Sequence, residues 1–136
     1  MPNCFGFIIL DLKEKKTILV ESPNGYLSFP KGKYENEKDS SMMDCALREL
    51  SEETGITEEL IEIVPNKILS EYKRPGQCTI QYYIGTIKEP YINFSFDEDE
   101  IKSVKWYDID EVNLLGSLKK SRKDIFKEVI EFMKLD

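Results

Sequence analysis

Glu49, Glu52 and Glu53 lie close together in the stretch Arg48-Glu49-Leu50-Ser51-Glu52-Glu53-Thr54-Gly55-Ile56. Residues three and four apart share a helix face, so a helix here brings three carboxylates together. Hard oxygen donors at that density suit Mg²⁺ or Mn²⁺ better than zinc. The chain contains no His. Imidazole ligands and a His general base are therefore excluded, and acid–base work falls to carboxylates. A cation held by such carboxylates can neutralise charge on a substrate and orient water for attack.

The elements that must hold these glutamates can be read from pattern. Ser40 and Ser41 both offer an N-cap for the helix. Met43, Ala46, Leu47 and Leu50 form its apolar stripe, with Cys45 on the same core face. Gly55 supplies a stop that tolerates positive φ. Upstream, Cys4–Leu10 is an apolar run of strand length, Thr17–Val20 pairs with it as a hairpin, and Tyr26–Phe29 is a short strand after the Ser22-Pro23-Asn24-Gly25 turn. Residues 34–41 are polar and irregular. Downstream, Leu60–Val64 and Ile68–Tyr72 read as two strands separated by Pro65. Lys73-Arg74-Pro75-Gly76 is a turn into a strand over Thr79–Ile87, and Ile101–Trp106 is a further strand. Asp108–Val112 opens a short helix or turn. Lys119–Leu135 is an amphipathic helix burying Ile125, Phe126, Val129, Ile130 and Met133. Alternating strands and helices of this kind make an α/β layered domain, expected to span residues 1–136 as one unit.

The acidic stretch resembles the core of the Nudix box, Arg-Glu-hydrophobic-any-Glu-Glu-any-Gly-hydrophobic. Every fixed position of that core is filled, and Phe29-Pro30-Lys31-Gly32-Lys33 precedes it. The chain thus resembles Nudix hydrolases, which cleave nucleoside diphosphates linked to another moiety. The resemblance implies an α/β/α sandwich around a mixed sheet. It implies Glu52 and Glu53 as ligands of Mg²⁺ or Mn²⁺, joined by Glu49, with Gly32 beside the metal. Arg48 is expected to orient the glutamates, for instance by an ion pair with Glu52. The family also recruits an acid from outside the box, which points to Glu100 in Asp97-Glu98-Asp99-Glu100, with Glu98 as its neighbour.

One departure from the family pattern concerns the loop. The box usually runs Gly, five residues, Glu, seven residues, Arg. Here the interval from Gly32 to Arg48 is two residues longer, so Lys38 and Ser40 occupy the counted positions. Glu37 is the first stand-in for the displaced Glu, with Glu35 and Asp39 as competitors.

Substrate residues are read from charge and ring type. Lys31 and Lys33 flank Gly32 and offer point charges to phosphate. Lys73 and Arg74 are assigned to distal phosphates. Tyr72, Tyr82 and Tyr83 offer rings for stacking on a base. The chain carries a net charge of −7, so an anionic substrate must be drawn in by a local basic patch or by metal. The layout looks most like small diadenosine polyphosphate hydrolases. Local segments are similar to messenger-RNA-decapping catalytic domains, and diphosphoinositol polyphosphate hydrolases form a third type. A non-catalytic nucleotide- or RNA-binding Nudix module is the alternative of a different class. For it, Lys119, Lys120, Arg122, Lys123 and Lys127 provide RNA-phosphate contacts. Cys4, Cys45 and Cys78 have no metal-ligand spacing and suit reduced thiols in a cytoplasmic protein. No run is apolar and long enough to span a membrane.

Overall fold

A computed structural model describes residues 2–89 and 93–135. Among the described residues, seven strands form one sheet. They are β1 (Cys4–Asp11), β2 (Lys16–Glu21), β3 (Leu27–Ser28), β4 (Lys31–Lys33), β5 (Ile61–Arg74), β6 (Gln77–Ile87) and β7 (Ser103–Asp108). Helix α1 (Met42–Thr54) and helix α2 (Lys120–Met133) cover its two faces, and a 3-10 helix spans Ile109–Leu114. The order β3-β2-β1-β6-β5 is mixed: β1 runs antiparallel to β2 and parallel to β6. This is the expected α/β/α sandwich.

β1 explains the continuous apolar run at its start. Its Ile8 and Leu10 join the core under α2, with Phe126 and Val129. Phe5, Phe7 and Ile9 join the core under α1, with Cys45, Ala46 and Leu50. Successive side chains point to opposite faces, so a strand covered on both sides needs no polar alternation. Leu50 is fully buried. Leu50→Ala should therefore cost about 2–5 kcal/mol in denaturant unfolding. A loss below about 0.5 kcal/mol would mean that this face of α1 does not carry the core.

Three elements differ from the sequence reading. The loop Lys31-Gly32-Lys33 is a strand, paired antiparallel to the start of β1 through Cys4↔Lys33, Phe5↔Gly32 and Gly6↔Lys31. Gly6 allows that approach, since a Cβ there would lie 2.2 Å from the Pro30 carbonyl oxygen. The two strands expected around Pro65 are one strand, β5, with a register shift between Ile63 and Ile68 and Asn66 at φ 60°. β5 is the last strand in the sheet order, and an edge with a bulge tolerates the missing N–H of Pro65. The strand expected from Ile101 begins at Ser103.

Candidate active site

Helix α1 starts where its cap allows. Ser41 is extended, and its side chain accepts the Asp44 N–H at 3.0 Å. Gly55 ends the helix in the left-handed region at φ 84°, donating its N–H to the Ser51 carbonyl. With Ala46 and Leu50 turned into the core, the opposite face presents Glu49, Glu52 and Glu53 beside β4.

β4 meets this face closely. The Lys31 backbone N–H donates to Glu53 Oε1 at 3.1 Å. Gly32 lies directly against Glu49: a Cβ there would fall 2.0–2.4 Å from the Glu49 carboxyl atoms. Burial pushes the Glu53 carboxyl up to about 7, with the Lys31 N–H acting against it. Burial also raises Glu49 above the usual carboxylate range, opposed by Arg48. Among the described residues Glu53 has no salt-bridge partner within contact distance, so a half-buried carboxylate faces the site with only the more distant Lys31 charge to offset its own.

Arg48 is the hub of the remaining charges. Its Nε and Nη2 bind the two oxygens of Asp39, both at 2.8 Å. Nη2 also donates to the Lys33 carbonyl at 2.9 Å. Nη1 reaches Glu52 at 3.1 Å, Glu49 at 3.2 Å and Glu35 at 3.3 Å. The expected Arg48–Glu52 pair is present, but the stronger anchor is Asp39, whose side chain is 1% exposed. Arg48 hydrogen bonds hold the Asp39 carboxyl down at about 2. Asp39 also accepts the Glu35 N–H at 2.8 Å, and its carbonyl accepts the Tyr34 hydroxyl. The longer loop thus folds back on Asp39. The first choice of stand-in, Glu37, is exposed. Asp39 and Glu35 contact the arginine instead, because loop closure rather than residue count decides which acid reaches it.

A cavity of about 490 Å³ lies over this face, lined by Lys33, Glu35, Lys38, Arg48, Glu49, Glu52, Asp97 and Glu100. Glu100 is therefore beside the box glutamates, accompanied by Asp97, while Glu98 is not among the lining residues. Cys45 is buried under the site, and its thiol is pushed up to about 12 by burial.

The substrate residues divide. Lys33 lines the glutamate cavity, and Lys31 lines a second, separate cavity. Lys73 and Arg74 are not in the turn, which is only Pro75-Gly76; they are the exposed last two residues of β5 and line neither cavity. Tyr72, half exposed, stands beside α2 with Ser121 and Asp124. Tyr82 is a correction: it is fully buried, its hydroxyl donates to Glu71 at 2.8 Å, and its ring packs edge-on to Phe29. It has no face left for a base. Tyr83 packs on Phe7 at 5.7 Å. Arg122 also departs from its expected place on an exposed basic face. It is 8% exposed and donates to Glu71 at 3.2 Å. A Glu on one strand and an Arg on a distant helix give no local signal, so sequence spacing could not pair them.

Nudix hydrolases generally use divalent metal ions. The donor chemistry here fits one, with three carboxylates, two of them raised by burial, and no nitrogen or thiolate ligand in the set. Among the described residues, no three such side chains already converge on one point. Glu52 is instead turned to Arg48.

Comparison with known proteins agrees with this fold. The C. elegans Ap4A hydrolase, in its binary complex, superposes with a TM-score of 0.79 at 19% identity, covering 98% of this chain and 99% of that one. The African swine fever virus mRNA-decapping protein g5R is 31% identical over 97 residues, 64% of this chain and 39% of its own. Subunit 2 of the Schizosaccharomyces pombe mRNA decapping complex is 33% identical over 135 residues, 94% of this chain and 17% of its own. The chain spans less than half the length of these curated relatives. No helix among the described residues is long and apolar enough to cross a membrane. The NUDIX domain family model matches residues 2–129, and with every box glutamate of the acidic helix in place the chain belongs to the NUDIX domain family.

Proposed function

We propose that residues 1–136 act as one catalytic domain that hydrolyses a pyrophosphate linkage in a dinucleoside polyphosphate, with a diadenosine polyphosphate as the first choice. The observation that carries this reading is the Glu49–Glu52–Glu53 face packed against Lys31 and Gly32, with Glu53 half-buried and raised to about 7. Glu52 and Glu53, joined by Glu49, hold Mg²⁺ or Mn²⁺. The metal supplies neutralisation of the phosphoryl oxygens and a water of lowered pKa. Glu49 and Glu53 are raised toward neutrality, the direction a carboxylate base working near pH 7 requires. Arg48, fixed by Asp39, aims Glu49 and Glu52 at the cavity. Lys33 and Lys38 on its wall meet phosphate oxygens, and Glu100 is the acid added from outside the box. The protein works in the cytoplasm.

A second reading is favoured by the sequence relatives, which are named as decapping proteins. A 5′ cap is itself a dinucleoside triphosphate, so the same site chemistry serves it. The basic face expected to hold RNA is weakened here. Arg122 is buried on Glu71, and Lys120 pairs with Asp124 at 3.3 Å. Free dinucleotides therefore come first.

The test is hydrolysis by purified protein of diadenosine polyphosphates, capped RNA, nucleotide sugars and diphosphoinositol phosphates in Mg²⁺, with the products identified. Mononucleotide products from diadenosine polyphosphates, formed faster than cap release, are expected. Cap release from RNA as the dominant activity would move the second reading to first place. Salt-sensitive RNA binding with no turnover of any substrate would replace both by a binding module.

A further inference from the structure

A second cavity, of about 670 Å³, lies between the β2–β3 turn and the start of α2, and it shares Lys31 with the catalytic face. Its construction follows from the sequence. Gly25, at φ 89°, closes the turn, and the Ser22 N–H donates to the Tyr26 carbonyl at 2.9 Å. Tyr26 is left 56% exposed with its ring on the cavity. The Leu27 N–H donates to the Ser117 carbonyl at 3.0 Å, so the turn and the segment entering α2 form one wall. Lys119 and Arg122 extend from that segment to the lining.

Arg122 is set in place before any ligand arrives. Its Nε donates to Glu71 and its Nη1 to the Leu27 carbonyl at 3.4 Å. Glu71 is in turn fixed by the hydroxyls of Tyr82 and Ser121, at 2.8 and 3.1 Å. A guanidinium carries five donors in a rigid fork suited to phosphate. Glu71 compensates one charge, which leaves the lining net positive through Lys31 and Lys119. In a chain of net charge −7, such a patch beside the catalytic carboxylates is a specific feature rather than average surface.

We propose that this cavity is the subsite for the nucleoside phosphate on the far side of the cleaved bond, its phosphate on Lys31, Lys119 and Arg122 and its base stacked on Tyr26. The proposal rests on the pyrophosphohydrolase reading and replaces Lys73 and Arg74 as the distal site. Stacking tolerates any base because each has a π face, so the subsite selects a nucleotide without selecting which.

The experiment is calorimetric titration of the whole protein with ADP in EDTA, so that no metal or turnover contributes. Tyr26→Ala and Lys119→Gln alter exposed side chains, and thermal unfolding checks that each variant is folded. Each is expected to weaken ADP binding, Tyr26→Ala by tenfold or more. Lys13→Gln, the same charge change on the exposed β1–β2 turn, should leave binding unaltered. With Mg²⁺ and diadenosine tetraphosphate, Tyr26→Ala should raise KM with little change in kcat, the signature of lost uniform binding. Absence of ADP binding by the unaltered protein overturns the proposal. So does equal binding by the unaltered protein and both variants, and so does inorganic pyrophosphate binding as tightly as ADP. Loss of turnover on every substrate with ADP binding intact would sink the pyrophosphohydrolase reading and leave the subsite standing.

Discussion

Replacing Glu53 by Gln should lower turnover by about 10²–10⁴-fold, the range for removing a carboxylate that assists proton transfer, while the fold persists. Glutamine keeps the size and can still accept the Lys31 N–H, but it cannot carry the charge that a metal needs. The same variant should stabilise the metal-free protein. Glu53 sits at about 7 in the fold against an ordinary 4.5, because burial disfavours its charged form. The folded state therefore holds this proton more tightly than the unfolded chain does. Below about pH 4.5 both states are protonated and the site costs nothing. Stability then falls as pH rises toward about 7 and stays lowered above it. The cost is about 3 kcal/mol by the free energy per pKa unit. In EDTA, Glu53→Gln should thus be more stable than the parent at pH 8 and equal to it near pH 4.5, measured by denaturant unfolding. A variant equally destabilised at both pH values would show that burial does not strain Glu53.

Gly32→Ala should separate activity from stability in the opposite way. The added Cβ would overlap the Glu49 carboxyl group at 2.0–2.4 Å, closer than real side chains approach. What must move is the end of a flexible side chain rather than backbone, so unfolding free energy should change by about 1 kcal/mol or less. Glu49, however, is displaced from its place beside Glu53 and Arg48. Turnover should fall about a hundredfold or more, because reacting groups tolerate little misplacement. Parental turnover in a folded Gly32→Ala protein would mean that the position of Glu49 does not matter.

Much of this site was legible because it is local. Ser41, Ala46, Leu50 and Gly55 set the rotation and the ends of α1, and the rotation decides that Glu49, Glu52 and Glu53 share the outward face. What sequence alone did not reveal depends on chain closure. Asp39 reaches Arg48 only because residues 34–41 fold back on themselves, and counting along the loop favoured Glu37. β4 exists because Gly6, far upstream, lets the Pro30–Lys31 backbone approach β1. Tyr82 and Tyr72 are both tyrosines near one hairpin. Only the register of β6, with Tyr82 turned toward Glu71 and α2, shows that one is core and the other half exposed. The distal cations were sought at Lys73 and Arg74 because a turn is exposed. The cavity that shares Lys31 with the catalytic face is formed instead by elements separated widely in sequence, β3 and α2.

The central claim is that the acidic face of α1 holds a divalent cation that drives pyrophosphate hydrolysis. The most direct measurement is the rate of diadenosine tetraphosphate hydrolysis at pH 8 as Mg²⁺ is titrated, for the parent protein, Glu52→Gln and Glu53→Gln. A rate that rises to saturation with Mg²⁺, vanishes in EDTA and falls by orders of magnitude in both variants at saturating metal is the predicted result. Hydrolysis that persists in EDTA, or near-parental rates in either variant, would contradict it.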